Sequence, residues 1–246
     1  MIHFFKQNKP ILKDLIPDNF VDIHSHLLPG IDDGATSIED SISLVNQMSE
    51  IGFKNIITTP HIFTSVWNNS EKKITDKHQE TLKKIENVCN IASFTAAAEY
   101  MMDTSFFRRI ESEKLLTLKD NYILVEMSYL NPPIQLYEII FEIQLAGFKP
   151  ILAHPERYLF FHSNFKEYEK LKNAGCLFQL NLLSTVDYYG KNIGLVTDKL
   201  LSNQYYDFVG SDIHHQNHIN AFKNKATLKN LPQLEKVINN NLFFLE

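Results

Sequence analysis

Short apolar, strand-like runs alternate with helix-like segments along the whole 246-residue chain. The helical segments carry ordinary start and stop signals: in 37–52, Ser37 is placed as an N-cap, Asp40 follows three residues later, and Gly52 ends the pattern. Because consecutive parallel strands need a helical crossover, this alternation predicts a parallel sheet covered by helices. Strands are predicted at 19–24, 54–61, 92–100, 122–129, 149–156, 176–183 and 206–214, and helices at 37–52, 70–90, 104–112, 133–147, 165–175 and 193–203.

Seven strands of this kind predict an α/β fold whose sheet closes, or nearly closes, into a TIM-like barrel. An open doubly wound sheet is the alternative. The composition, with 44% apolar and 22% charged residues, is that of a globular chain with a large core. We therefore expect a single domain over residues 1–246, with a barrel core at about 19–215 and a helical C-terminal tail at about 219–246.

The net charge and the lack of recognisable targeting signals argue against several classes of function. The net charge of −5 argues against a general nucleic-acid or anionic-membrane surface, although bound metal ions could still attract a phosphorylated substrate. The N-terminus lacks the features of a secretion signal, and no run of about 18 apolar residues could span a bilayer, so we expect a cytoplasmic protein without membrane insertion. Cys89 and Cys176 lie far apart without metal-ligand spacing and are expected to be buried, reduced thiols.

Metal-capable side chains fall where the predicted strands end. His24 and His26 end the first strand one residue apart, a spacing that points both rings to the same side. The carboxyl ends of the strands face the active site in barrels and in open α/β sheets, so groups placed there converge. Burying so many titratable groups together is costly unless they bind a cation. The other candidates are Asp33 in the loop after the first strand, His61, Glu99, Glu126, His154, Asp212 and His214.

The types of these donors indicate which ions they would bind. Imidazole and carboxylate groups without thiolates suit Mn²⁺, Fe or Zn²⁺ better than Mg²⁺. One ion takes about four to six ligands, so these candidates predict two or three ions, with Glu99 and Asp212 as candidates for bridging them. Arg157 follows His154 by three residues and is one of only three arginines beside 21 lysines. Its guanidinium could bind two oxygens of a phosphate next to the metals.

Taken in order, these motifs resemble the polymerase-and-histidinol-phosphatase (PHP) superfamily of metal-dependent phosphoesterases. Within it the chain is most similar to the bacterial tyrosine-protein phosphatases linked to capsule and exopolysaccharide synthesis. The shared pattern runs from about residue 20 to 215 and consists of DIHSHLLPGIDDG, ITTPH, AAEYM, ILVEMS, LAHPERY and GSDIHH. The first block and AHPERY are its specific parts.

The resemblance implies a distorted (β/α)7 barrel with a three-metal cluster, often supplied with Mn²⁺, and a phosphate-binding role for Arg157. It selects Asp33 over Asp32, because Asp33 directly precedes the glycine. The implied substrate is phosphotyrosine on the tail of a bacterial tyrosine autokinase. Members often carry a second arginine after Asp-x-His, whereas HHQNHINAF has none, which leaves Arg157 alone or helped by His215, His218 or a lysine. The implied metal ligands are His24, His26, Asp33, His61, Glu99, Glu126, His154, Asp212 and His214.

The expected reaction is in-line attack on phosphorus by a metal-bound hydroxide, with His61 or His214 protonating the leaving phenolate.

A cysteine-based tyrosine phosphatase is excluded, because it needs an arginine six residues after the nucleophile, where this chain has Thr95 and Leu182. A metal-dependent amidohydrolase commonly adds a lysine at a strand end, and none of the predicted strand ends offers one. Two alternatives stay open: a small-molecule phosphatase acting, for example, on histidinol phosphate, and a non-catalytic scaffold stabilised by metals. A shallow opening with exposed aromatic side chains would favour a protein tail over a metabolite, and the candidates for such side chains are Phe63, Trp67, Tyr129 and Tyr158.

Overall fold

The computed structural model describes residues 9–245. Within them the predicted alternation of strands and helices is confirmed, with boundaries shifted by a few residues. The prediction that the N-terminus carries no secretion signal concerns residues 1–8 in part, and these lie outside the described range. The strands are Phe20–Asp22 (β1), Phe53–Thr58 (β2), His61–Ile62 (β3), Ser93–Ala96 (β4), Glu99–Met101 (β5), Tyr122–Glu126 (β6), Lys149–Ala153 (β7), Leu177–Asn181 (β8) and Phe208–Gly210 (β9). The helices are Ile38–Ile51 (α1), Glu71–Ile85 (α2), Thr104–Ser112 (α3), Leu136–Leu145 (α4), Leu159–His162 (α5), Lys166–Asn173 (α6), Lys191–Ser202 (α7), Gln216–Ala221 (α8) and Leu231–Asn240 (α9).

All paired strands are parallel and fall into two sheets, β1-β2-β4 and β3-β5-β6-β7-β8-β9. The division arises because two predicted strands are each interrupted: 54–61 becomes β2 and β3, and 92–100 becomes β4 and β5. The segment after the last strand, β9, bonds to the segment after the first strand, β1. Asp212 N donates to His24 O at 2.7 Å, and His26 N donates to Ile213 O at 2.9 Å. The predicted distorted (β/α)7 barrel is therefore confirmed, and the interruptions are its distortion.

The core has two parts, one inside the ring of strands and one between the strands and the outer helices. Helix α1 shows how the outer part is built: the Ser37 side chain accepts a hydrogen bond from Asp40 N, and Gly52, with φ of 125°, ends the helix. Its buried face carries Leu44, Val45 and Met48. The inner part is made of side chains that alternate along the strands, including Val21, Ile23, Ile57, Leu124 and Ile151.

The C-terminal tail packs against the amino ends of the first and last strands. After α9, the buried side chain of Asn241 donates to Val21 O at 2.9 Å and to Val209 O at 2.8 Å, and it accepts from Val209 N at 3.0 Å. Both cysteines are free and buried, as predicted. Within residues 9–245, no helix is both long enough and apolar enough to span a membrane.

Candidate metal centre

All the predicted donors lie together at the carboxyl ends of the barrel strands. His24 and His26 lie two and four residues after the end of β1, Glu126 ends β6, and His154 follows β7. His61 and Glu99 differ slightly from the prediction, because each begins a short second strand segment after an interruption. The donor atoms form four overlapping groups, each within 4.8 Å: His26, Asp33, His61 and His214; His24, Glu99 and His154; His24, His26 and Asp212; and His61, Glu99 and Glu126.

Glu99 lies at the centre of this arrangement. Its Oε2 is 3.2 Å from His24 Nε2 and 3.0 Å from His61 Nδ1, and its Oε1 is 3.2 Å from His154 Nε2. Asp212 is placed similarly, with Oδ1 3.2 Å from His24 Nε2 and 3.5 Å from His26 Nε2. Each carboxylate therefore faces several imidazoles, and an imidazole–carboxylate set of this kind suits a divalent transition-metal ion.

The backbone turns sharply at two of these positions. His154 has φ of 38° and Asp212 has φ of 52°, so both adopt the left-handed conformation that costs non-glycine residues free energy. His154 is held there by its N–H, which donates to Gln179 O at 2.8 Å, and Asp212 by its N–H on His24 O at 2.7 Å. Neighbouring strands thus stabilise the conformations that place these side chains in the cluster.

Two further polar residues orient the histidines, and the sequence analysis did not identify their role. His24 Nδ1 donates to Gln179 Oε1, and His26 Nδ1 donates to Asp32 Oδ2, each at 2.8 Å. Each bond directs the Nε2 lone pair of its imidazole towards the cluster. Gln179 lies at an inward-facing position of β8, and nothing in the local sequence distinguishes it from an ordinary strand residue.

The adjacent acids Asp32 and Asp33 are placed differently. The side chain of Asp32 is buried and accepts hydrogen bonds from the backbone N–H groups of His61 at 3.2 Å and Gly34 at 3.0 Å, in addition to its bond with His26. The Asp33 side chain is 52% exposed, and its Oδ1 lies 3.5 Å from the Nε2 atoms of both His61 and His214. Asp33 is therefore the acid that the structure groups with the histidine donors.

Neighbouring carboxylates set the protonation states of most of the imidazoles. Although burial lowers the pKa values of His24 and His26, Glu99 and Asp212 raise the pKa of His24, and Asp32 raises the pKa of His26 to about 10, so a cation would replace protons on these rings. Burial lowers the pKa of His154 to about 4, so this imidazole is neutral. Burial alone would raise the pKa of Glu99, but the neighbouring His24 and His61 lower it well below its usual range. Burial and the charge of Glu99 raise the pKa of Glu126, and a cation between these two carboxylates would favour the charged form of both. Neutral imidazoles and ionised carboxylates are the forms that bind metals.

Two buried atoms in the cluster indicate that the donor set fits a metal. Within residues 9–245, Glu99 Oε2 and His61 Nδ1 are among the few buried side-chain atoms without a hydrogen-bond partner. These atoms lie 3.0 Å apart, yet their geometry does not make a hydrogen bond between them. Buried polar atoms normally have a hydrogen-bond partner. Two potential metal ligands that lack one and point to the same region therefore indicate a shared ion.

The cluster forms the floor of an open cleft of about 350 Å³. We call it the metal cleft, and its walls include Phe63, Trp67, Tyr129, Leu130 and Arg157. The Trp67 ring stacks on His61 at 4.7 Å between centroids. Three of the aromatic candidates therefore line the opening, whereas the fourth is core: Tyr158 is fully buried, and its hydroxyl accepts from Met127 N at 2.9 Å.

Arg157 is held between two aromatic rings. Its guanidinium carbon lies 4.1 Å from the ring centre of Tyr189 and 4.8 Å from that of Tyr129, and its Nη1 donates to Asp212 Oδ2 at 2.7 Å. Tyr189 was not identified from the sequence. Among the described residues that line the metal cleft, Arg157 is the only lysine or arginine. The alternative of a helping lysine is thus not supported by the cleft lining.

The other basic residues considered for phosphate binding have different surroundings. His218 is buried, and its Nδ1 accepts a hydrogen bond from His214 N at 3.1 Å, so it supports the backbone of a candidate ligand. His215 is exposed and lines a separate cavity on the outer side of His214. Arg109, on α3, is buried, and its Nη1 donates to Glu113 Oε2 at 2.7 Å.

Comparisons with known proteins agree with the site. A family model described as "Capsular polysaccharide synthesis, CpsB/CapC" matches residues 20–232. The tyrosine-protein phosphatase YwqE of Bacillus subtilis is 28% identical over 195 residues, covering 79% of this chain and 77% of YwqE. The tyrosine-protein phosphatase CpsB of Streptococcus pneumoniae is 26% identical over 200 residues, covering 79% of this chain and 82% of CpsB. A crystal structure from work on YwqE and CpsB, described as unique metal-dependent tyrosine phosphatases, superposes with a TM-score of 0.76 at 28% identity, covering 88% of this chain and 86% of that chain.

Proposed function

The chain belongs to the capsular polysaccharide synthesis CpsB/CapC family, as its motifs predicted, and on that basis we propose that it is a metal-dependent protein-tyrosine phosphatase. The observation that carries this proposal is the convergence of the imidazole and carboxylate donors beside one arginine in an open cleft. Its relatives YwqE and CpsB are named tyrosine-protein phosphatases. The proposed reaction is hydrolysis of a phosphoric monoester, without a covalent enzyme intermediate.

The donors would hold two or three divalent ions, with Glu99 and Asp212 as shared ligands. Mn²⁺ is the proposed ion, and Fe or Zn²⁺ would also suit this donor set. When bound, such ions supply Lewis acidity to the phosphoryl oxygens and to water. The proposed ligands are His24, His26, Asp33, His61, Glu99, Glu126, His154, Asp212 and His214.

Arg157 is proposed to bind the substrate phosphate. The aromatic rings of Tyr129 and Tyr189 hold its guanidinium plane, while Asp212 accepts from only one of its nitrogens. The remaining N–H groups can therefore donate to two phosphate oxygens in a fixed orientation. This arrangement lets one arginine bind the phosphate without the second arginine that related sequences often carry.

His61 and His214 are the proposed proton donors to the leaving phenolate oxygen. Their side chains are 11% and 13% exposed, whereas those of His24 and His26 are fully buried. Only the first pair can therefore face both the cluster and a substrate in the cleft. Either one, in its protonated form, could transfer a proton to the oxygen as the phenolate departs.

The rim of the metal cleft favours a protein substrate over a metabolite. Tyr129 is 44% exposed, and Leu130 beside it is 82% exposed, so large apolar side chains face solvent around the opening. A site for a small charged metabolite would enclose its ligand more completely. We therefore propose phosphotyrosine on a flexible protein segment, such as the tail of a bacterial tyrosine autokinase that controls capsule or exopolysaccharide synthesis.

The test compares substrates under the same metal. Protein supplied with Mn²⁺ is assayed on a phosphotyrosine peptide and on histidinol phosphate, with His154→Ala as the blank and Zn²⁺ and Fe²⁺ as alternative ions. We expect kcat/KM to be at least about tenfold higher for the peptide, since one well-made extra contact supplies that factor. A preference for histidinol phosphate would indicate the small-molecule alternative. Lack of turnover of any aryl phosphate with every ion would indicate the scaffold.

A further inference from the structure

A second cavity of about 400 Å³ lies beside the metal cleft. We call it the side groove. Phe63, Met101 and Ser128 line both spaces, so the groove and the cleft are adjacent and share a wall. The apolar lining of the groove consists of Phe63, Met101, Met102, Pro133, Ile134 and Ile139.

One loop, between β6 and α4, contributes to both spaces. Its first part, Ser128 to Leu130, lines the metal cleft, and its second part, from Asn131 to Gln135, contributes to the side groove. Two consecutive prolines, Pro132 and Pro133, restrict the backbone between these parts. A peptide whose phosphotyrosine enters the cleft would therefore find the groove next to it, formed by the same short and stiff segment.

The chemistry of the side groove selects an uncharged occupant. Of the described residues that line it, Asp103 is the only charged one, and its Oδ1 already accepts from Ser105 N at 2.8 Å and Phe106 N at 3.2 Å as the N-cap of α3. At the rim, Ile134 is 104% exposed, so its whole side chain is available for contact. A concave, mainly apolar surface of this size is typical of a subsite for one large side chain.

We infer that the side groove binds an apolar or aromatic side chain close to the phosphotyrosine in the substrate protein, and so contributes to substrate selection. This inference rests on the proposed function. The position of the groove directly beside the metal cleft favours the substrate peptide as its occupant. A second copy of the chain is less suited, because a stable interface between two copies would bury about 800 Å² on each partner. The groove by itself offers room for little more than one side chain.

The test uses peptides that differ in one residue. Each contains phosphotyrosine on a Gly/Ser background, with a single Leu, Phe or Asp placed in turn at the three positions on either side. The variant Ile134→Asp places a carboxylate at the groove rim without disturbing the core, since Ile134 is exposed. Phe141→Asp is the matched control, because Phe141 is 59% exposed on α4 and does not line the groove. Hydrolysis of the small substrate p-nitrophenyl phosphate measures the phosphatase activity that does not depend on the side groove.

With wild-type protein, we expect a Leu or Phe at one or two positions to raise kcat/KM about tenfold over Gly, the size expected from burying part of an apolar side chain. Ile134→Asp should abolish this preference while p-nitrophenyl phosphate hydrolysis stays within twofold, and Phe141→Asp should retain the preference. Equal kcat/KM for all peptides would overturn the inference but leave the proposed function standing. A change of oligomeric mass in Ile134→Asp with peptide selectivity intact would assign the groove to self-association and overturn it too. If wild type hydrolyses neither the peptides nor p-nitrophenyl phosphate, the proposed function and the inference both fail.

Discussion

Gly34→Ala is expected to disable the metal centre through a steric clash. Gly34 lies in the loop after β1, directly against the backbone of His26. A Cβ at this position would lie 2.1 Å from His26 O and 2.5 Å from His26 Cβ, whereas real Cβ atoms essentially never approach closer than 3.0 Å. Either the loop or His26 must therefore move by at least about 0.9 Å, the difference between these distances.

A shift of that size is large for a catalytic site. Groups must be held within about 0.5 Å of their productive positions, and a misplacement of about 1 Å can lower activity about 100-fold. We therefore expect kcat/KM to fall about 100-fold, which corresponds to about 2.7 kcal/mol of transition-state stabilisation. The free energy of unfolding should fall by about 1–3 kcal/mol, because the clash is an overpacked contact.

The assay measures kcat/KM on p-nitrophenyl phosphate at saturating Mn²⁺, together with bound metal and thermal unfolding. Gly147→Ala is the control: Gly147 has φ of 87°, and an added Cβ would meet nothing within 4 Å. This control should lose about 1 kcal/mol of stability from the strained backbone and keep its activity. A Gly34→Ala protein with wild-type activity and full metal content would refute the steric reasoning.

Three further predictions address the metals and the cysteines. Gln179→Met removes the acceptor for His24 Nδ1 and should weaken Mn²⁺ binding, measured by titration calorimetry, about 10–100-fold. Gln179→Glu keeps an acceptor at this position and should bind Mn²⁺ normally. Equal weakening in both variants would contradict the orienting role of Gln179. Chelation with EDTA should lower the Tm by about 5–10 °C, and added Mn²⁺ should restore it. The reason is that a free Mn²⁺ concentration of about 100 times Kd stabilises the folded protein by about 2.7 kcal/mol. An unchanged Tm would argue against a metal site. Burial raises the pKa values of both free thiols, that of Cys176 to about 12, so iodoacetamide at pH 8 should neither label native protein nor inhibit it. Inactivation in step with labelling, measured by mass spectrometry, would revive a cysteine mechanism.

The donor set could be predicted because its signals are local. Each predicted ligand adjoins or ends a short apolar run, and parallel strands bring their carboxyl ends to one face whatever the details of packing. The choice of Asp33 over Asp32 came from the resemblance. The structure supplies a physical reason for it: Asp32 is used by His26 and two backbone N–H groups, while Asp33 faces His61 and His214.

The partners of those ligands could not be predicted. Gln179 bonds to His24 across 155 positions, and Tyr189 stacks on Arg157 from a segment between β8 and α7. An inward-facing glutamine or tyrosine looks the same in sequence whether it meets a ligand or only the core. The interruptions after Thr58 and Ala96, which place His61 and Glu99 at the start of new segments, are also absent from the strand pattern.

The order of strands and helices, and the side chains that gather at the carboxyl ends, could be predicted from short segments of the chain, because side-chain chemistry and hydrophobic period are local properties. Only the packed fold shows which imidazoles approach the same oxygen of Glu99, how the rings hold Arg157, and that an apolar groove lies beside the metal cleft. Those features depend on distances between segments far apart in the chain, and such distances are set only when the strands pack side by side.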